Sequence, residues 1–407
     1  MSYKTLFKFS PLFFLYILLV LVFSQNTSHG DESRYLMFAT NLLNGYYSPR
    51  SDINLWNGPG YPILLIPFLG FHIPLIFAKL LNALFLFLSV IYFYRTLLFF
   101  TNNRFGVCFA YLFGLYFPFF SNLYLLNTEI FSVFLICGFM FHFIGYAKGA
   151  SGKRSNFLAS FLYLGYLALT KVFFGWVLVI CLFVSLLLSL FRRRFLKLSA
   201  PVYTAAIIIC IPYLIYTHSL TGKFFYWGNS GGQSLYWMST LDKEEFGDWF
   251  GTEWAITQPG FESHKDFLSK TMKLSALQQD TEFRKQAIKN IKSNPKKYVI
   301  NWSANVGRML FSYPYSYTKQ KLSTYFYAIP NMFLLIVFLL CLCPAFLCRK
   351  LIPFEVYNFL IFGAVTFFGS SLLSAYPRQL FPVVPIILLF VAYTITNILK
   401  ISLRCKQ

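Results

Sequence analysis

Long apolar runs alternate with short polar breaks along most of the chain. They fall near 10–24, 76–99, 104–122, 126–147, 155–170, 172–191, 199–218, 328–348, 353–374 and 380–400. Each is expected to form a membrane-crossing helix, although several fall short of the ~20 residues of a full crossing. The run "GYPILLIPFLGFHIPL" (60–75) is also apolar. Its Pro62, Pro67 and Pro74 break helical continuity, so it is expected to lie at or dip into the interface. One sizeable polar stretch, 219–327, interrupts the pattern. It opens with "GNSGGQS" (228–234), read as a flexible turn. "SALQQDTEFRKQAIKNIKSN" (275–294) predicts a helix capped by Ser275 and stopped at Asn294–Pro295. "PKKYVINWSANVGRMLF" (295–311) restarts with Pro295 at the first helical position. Its apolar residues recur at helical spacing, as in a helix resting on a membrane. The pattern thus predicts an all-α polytopic membrane protein of about ten helices. Residues 1–218 form a membrane module whose first outer loop is 25–75. An extracytoplasmic helical segment follows at 219–327, and 328–407 returns to the membrane.

Composition sharpens that picture. The 407 residues are 57% hydrophobic, 21% aromatic and only 12% charged, too apolar for a soluble domain to hide. The net charge of +21 does not point to nucleic acid, because the cations flank apolar runs, as in "FRRRFLK" (191–197). Such charge orients helices, and placing 60–75 outside the set of spans keeps these runs on the inner side. The first run, with its basic start, is read as an uncleaved helix rather than a signal peptide. The eight cysteines sit in or beside apolar runs, which argues against a disulfide framework or a zinc site.

The 14 acidic residues sort by side. Asp31, Glu32, Asp52, Glu129 and all acids of 219–327 land outside; only Glu355 falls near the inner face. Acids contribute little to topology, so this one-sidedness points to chemistry on the outer face. Asp31 and Glu32 stand together just after the first run. Arg34 and Tyr35 follow at helical spacing. The plainer reading makes Asp31 the N-cap of a helix ending at Gly45. The functional reading expects the membrane surface and like charge to raise a carboxylate pKa toward that of a general base. Glu129 is a lone carboxylate at the end of an apolar run. Lys171 and Arg378 are cations on short outer turns, suited to an anion such as a lipid phosphate. Carboxylates at Asp31, Glu32 and Glu129 also suit a divalent ion, magnesium or manganese, with Asp31 and Glu129 the expected pair. Sequons at Asn26 and Asn301 fall outside as well.

These residues resemble a family. "GDESRY" is similar to the Asp-Glu-x-Arg-Tyr signature of the first outer loop in GT-C glycosyltransferases, nearest to protein O-mannosyltransferases and the aminoarabinose transferase of lipid A. "WNGPGYPILL" (56–65), "NTEIFSVFL" (127–135), "LGYLALTK" (164–171), "SGGQSLY", "NPKKYV" and "PRQLFPVVP" follow in the family's order. The chain has "NGPGYP" where the aminoarabinose branch carries Glu-Lys-Pro. The resemblance implies a transferase that takes sugar from a polyprenyl-phosphate donor at the outer leaflet and passes it to a lipid, glycan or protein acceptor. Asp31 would be the base or acceptor-orienting group, with Glu32 beside it and Glu129 assisting. Arg34 and Tyr35 would shape the loop, and Lys171 and Arg378 would hold the donor phosphate. It places the chain in a bacterial inner or plasma membrane, active site outward. Two rivals stay open: a lipid-linked saccharide flippase or transporter, and a polysaccharide polymerase or ligase.

Overall fold

The computed structural model describes residues 3–25 and 30–400; Asn26, His29 and Cys405 lie outside them. Every regular element among the described residues is a helix. In chain order these are α1 (Tyr3–Phe23), α2 (Asp31–Leu43), α3 (Gly60–Gly70), α4 (Leu75–Leu97), α5 (Asn103–Gly114), α6 (Glu129–Ala147), α7 (Lys153–Thr170), α8 (Phe173–Ser189), α9 (Ala200–Ile209) and α10 (Ile211–Thr221). The polar segment holds α11 (Gly231–Met238), α12 (Thr252–Thr257), α13 (Glu262–Thr271), α14 (Ala276–Ser293) and α15 (Pro295–Phe311). α16 (Thr324–Leu347), α17 (Phe354–Ser371) and α18 (Val384–Tyr393) complete the chain.

The chain is an integral, all-α polytopic membrane protein, as expected. Among the described residues, α1, α4, α6 and α16 are long and apolar enough to cross alone. The pair Phe195–Ile209 and Ile211–Thr221, bent by 46°, reaches that length when taken as one span. The other expected spans are helical but shorter, broken or less apolar. The run 104–122 divides into α5 and a 3-10 turn at Phe117–Asn122. α8 has 17 residues, and α18 passes after 10 into a π turn at Thr394–Ile398. Such elements cross only with protein neighbours that cover their backbone. α3 has 11 residues, too few to cross, as its prolines predict.

Lipid tails offer no hydrophobic drive between helices, so close packing must hold them together. At the α6–α7 contact a Cβ on Gly138 would lie 2.5 Å from the Tyr163 ring. Phe14, Phe183 and Leu340 are exposed outward, as lipid-facing residues should be. One apolar core runs from Phe9 in α1 to Tyr393 in α18. A second, small core of Tyr236, Trp237, Phe261, Leu268 and Phe283 lies in the polar segment.

Local signals in that segment behave as their chemistry requires. Ser275 and Gln278 form a reciprocal capping box at the start of α14. Asn294 ends α14 and caps α15 by accepting from the Lys297 amide. "GNSGGQS" is a correction: its second half begins α11 and is packed tight. A Cβ on Gly232 would lie 2.1 Å from the Asp280 carbonyl oxygen. α15 forms over the expected residues, buries Asn301, Asn305 and Arg308 with Met309, and leaves Val299 and Ile300 exposed. Asn301 is fully buried and donates to the Met238 and Thr240 carbonyls, so its sequon serves the fold.

Candidate active site

Four segments meet at one end of the bundle: the start of α2, the first residue of α6, the α7–α8 turn, and the turn before α18. α2 begins at Asp31 with Gly30 as its N-cap, and no side chain caps it. Asp31 is therefore not the expected cap, and its carboxylate is free to reach elsewhere. Gly45, with φ of 86°, does lie just past the end of α2, as expected.

The loop after α2 explains "WNGPG". A Cβ on Gly58 would lie 1.9 Å from the Leu169 carbonyl oxygen, and one on Gly60 would lie 2.6 Å from Thr170 Oγ1. Only glycine lets this loop press against the end of α7, beside Lys171. The docking delivers Asn57, which donates to the Tyr35 hydroxyl at 3.0 Å and accepts from Arg34 at 3.4 Å. Arg34 also stacks over Trp56, 4.6 Å from its ring centre.

Arg378 joins the two distant acids. Its Nη2 donates to Asp31 Oδ2 at 2.7 Å, and its Nε lies 3.6 Å from Glu129 Oε1. Lys171 Nζ donates to the same Glu129 oxygen at 3.0 Å. Arg34 approaches the other Asp31 oxygen at 3.4 Å. Glu129 is 4% exposed and occupies the first position of α6, where the helix dipole favours a negative charge. Its second oxygen, Oε2, is buried with no hydrogen-bond partner among the described residues.

These groups line a cavity of about 730 Å³. Asp31, Arg34, Tyr35, Glu129, Lys171 and Arg378 all face it, with Trp56, Trp249, Tyr315, Tyr327 and Tyr376 as aromatic walls. Its charged lining is two carboxylates against three cations, an excess of one positive charge. Asp31 also lines a smaller cavity of about 350 Å³, shared with Arg378, Glu32 and Lys79.

The electrostatics correct one expectation. Burial pushes the Asp31 carboxyl up, but Arg378, then Arg34 and Lys171, outweigh it and hold its pKa below the ordinary aspartate value. Glu129, opposed by burial but joined by Asp31, holds the Arg378 guanidinium more firmly protonated. Burial, then the charges of Glu129 and Asp31, keep the Tyr35 hydroxyl protonated. In this state Asp31 is an ionised ion-pair partner and a weak base.

Glu32 sits apart from its neighbour. It is 6% exposed, lines only the smaller cavity, accepts from the Leu126 amide at 2.7 Å and lies 4.0 Å from Lys79. That ties α2 to the loop leading into α6. The divalent ion expected at Asp31 and Glu129 does not fit these residues. Arg378 bridges the two carboxylates, and the cavity already carries excess positive charge. No group of three or more His, Cys, Asp or Glu side chains among the described residues is placed to hold a metal.

Sequence reasoning missed Asn57, Trp249 and the tyrosines. Asn57 lies inside "WNGPGYPILL", where no local pattern marks its amide for Tyr35 and Arg34. Trp249 stands 6.0 Å from Trp56, an edge-to-face contact across nearly two hundred residues with no local signal.

No protein-family model matches the sequence, and no curated protein does. Solved structures do match. Archaeal oligosaccharyltransferase AglB from Archaeoglobus fulgidus, in complex with an inhibitory peptide and a dolichol-phosphate, superimposes with a TM-score of 0.54 at 13% identity, over 99% of this chain and 52% of that one. The Archaeoglobus fulgidus oligosaccharyltransferase tethered to an acceptor peptide gives 0.55 at 13% identity, over 97% and 49%. ArnT from Cupriavidus metallidurans bound to undecaprenyl phosphate gives 0.43 at 13% identity, over 96% and 77%. The chain spans about half the length of the oligosaccharyltransferases it matches. At this identity the likeness concerns the fold, which is the GT-C fold that the ordered motifs anticipate.

Proposed function

We propose that the chain is a membrane glycosyltransferase that moves a sugar from a polyprenyl-phosphate donor to a lipid, glycan or protein acceptor. One observation carries the proposal: Arg378 bridges Asp31 and Glu129 on the wall of a cavity with excess positive charge. The donor phosphate enters beside Lys171 and Arg378, uses the spare donors of Lys171 and takes over the Arg378 hydrogen bond to Asp31, since guanidinium pairs well with phosphate. Arg378 thereby leaves Asp31. Freed of its strongest partner, the Asp31 carboxylate regains basicity in the loaded site, where an acceptor hydroxyl reaches it.

The transfer is a single displacement with inversion. The acceptor oxygen bonds to the anomeric carbon as the bond from that carbon to the phosphate oxygen breaks. The hydroxyl proton passes to Asp31, and the electron pair leaves with polyprenyl phosphate. Lys171 and Arg378 stabilise that leaving charge, the kind of preorganised electrostatics that contributes most to such rates. Glu129 holds both cations in place. Arg34, Tyr35 and Asn57 set the loop that carries Asp31. The one-sided acids and the cationic runs support the outer face as the side of this chemistry.

The test uses purified chain, radiolabelled polyprenyl-phosphate sugars and native membrane extract as acceptor. Wild type should transfer label, and Asp31→Asn should lose transfer while still binding undecaprenyl phosphate. Wild-type-like transfer by Asp31→Asn overturns the role of Asp31. No transfer from any donor overturns the transferase reading in favour of a lipid-linked saccharide flippase.

A further inference from the structure

The turn that presents Arg378 has little regular structure of its own. Between Ser371 and Pro377 its amides and carbonyls need partners from elsewhere. α15 supplies them. Asn305 Nδ2 donates to the Ser371 and Leu373 carbonyls at 2.8 and 2.7 Å, and its Oδ1 accepts from the Ala375 amide at 2.9 Å. Arg308 Nε donates to the Ala375 carbonyl at 3.2 Å, and its Nη2 steadies Asn305 Oδ1 at 2.7 Å. Trp302 and Tyr298 bond Ser371 Oγ and the Leu372 carbonyl at 3.0 and 2.9 Å.

The same arginine reaches across the cavity rim. Its Nη1 donates to the Pro314 carbonyl at 2.9 Å and the Phe246 carbonyl at 3.4 Å, with Asp248 at 3.9 Å. Trp249 follows three residues after Phe246, and its carbonyl accepts from Tyr376 at 3.2 Å. Arg308 and Asn305 are both 0% exposed. Full burial of a guanidinium is costly, and a lone arginine that only filled space would be a poor choice. Here its forked donors join two loops that share one cavity wall.

We propose that Asn305 and Arg308 are positioning residues that hold Arg378 against Asp31 and Glu129, and so set how tightly the site grips an anion. The inference rests on the reading of that site as a lipid-phosphate site, and its test separates the two. Undecaprenyl phosphate binding to the full chain in nanodiscs is measured for wild type, Asn305→Ala, Arg378→Ala and the double variant. Backbone hydrogen exchange across 371–380 is followed in parallel. Arg308→Lys, which keeps the charge but loses the fork, serves where Asn305→Ala does not fold.

Asn305→Ala should bind about tenfold more weakly, as expected for lost hydrogen bonds that act on a charged group. Exchange across 371–380 should rise while α4 and α6 stay protected. In the Arg378→Ala background the substitution should cost nothing further, because its effect runs through Arg378. An equal loss in both backgrounds, or full affinity in Asn305→Ala, overturns the positioning role. A wild type that binds no undecaprenyl phosphate overturns the lipid-phosphate reading instead. Unchanged exchange across 371–380 then overturns the positioning role by itself.

Discussion

Two of the buried charge groups among the described residues differ in what they leave unsatisfied. In the polar segment, Glu245 is 1% exposed and accepts from His264 Nε2 at 3.0 Å, from Tyr317 at 3.1 Å and from Thr240. His264 Nδ1 meets the Tyr236 hydroxyl at 2.6 Å, and Lys297 donates to the Glu245 carbonyl at 2.6 Å. Burial, then the Glu245 charge, keeps Tyr236 protonated. That network is saturated and lines none of the cavities described above. The cluster of Asp31, Glu129, Lys171 and Arg378 is the opposite case. It carries a buried carboxylate oxygen without a partner among the described residues, and with Arg34 it gives an excess of one positive charge beside a cavity of about 730 Å³. Saturated charge holds a fold together; incompletely satisfied charge beside open space is poised to bind.

The largest test of that contrast is catalytic. Asp31→Asn or Arg378→Ala should lower transfer by roughly 10²–10⁴-fold, the range for losing a proton acceptor or an oxyanion partner. Neither should move the unfolding temperature by more than a few degrees. Glu245→Gln should do the reverse. Disturbing the saturated network should cost about 2–3 kcal/mol of stability, seen as a lower unfolding temperature in detergent, with transfer per folded molecule preserved. Similar losses of both quantities in all three variants would erase the distinction.

A smaller effect is expected at Lys171. Lys171→Ala leaves Glu129 with Arg378 alone, and donor KM should rise about tenfold with a fall in kcat as well, because the same cation meets the donor phosphate and the leaving charge. A rise in KM with kcat unchanged would confine Lys171 to binding. The pH response is subtler. The folded pKa of Asp31 lies below its unfolded value, so its contribution to stability is present above about pH 3.9 and is lost as pH falls through the lower folded value. Unfolding temperature measured from pH 6 to 3 should fall further in wild type than in Arg378→Gln, where the main charge lowering the Asp31 pKa is gone and less stability is tied to its ionisation. The smallest effect is a null one. Ser303→Ala destroys the Asn301 sequon and should leave the chain's mass in a glycosylating host unchanged apart from the substitution, because Asn301 is sealed by its bonds to Met238 and Thr240.

Much of the candidate site was legible because its signals are short-range or compositional. Scarce acids on one side, a carboxylate at the head of an apolar run and cations on short turns marked Asp31, Glu129, Lys171 and Arg378 separately. The direction of the Asp31 pKa was not legible. It depends on Arg378, 347 residues away, rather than on Glu32 next door. Glu32 looked like a twin of Asp31 in sequence. Adjacent helical positions point about 100° apart, and that angle sends it toward Leu126 and Lys79 instead. The guanidinium between the two carboxylates was likewise invisible in the sequence, where Asp31 and Glu129 alone suit a divalent ion.

The sequence by itself determined that this chain enters a membrane, where its helices break and restart, and which rare charges lie near one end of the bundle. Those properties follow from transfer energies, proline geometry and capping, all local in the chain. The tertiary structure alone decided which charges touch and that α15 turns Asn305 and Arg308 inward. Partner choice for a buried charge depends on where distant backbone stops, and that is settled by packing between elements far apart in the chain.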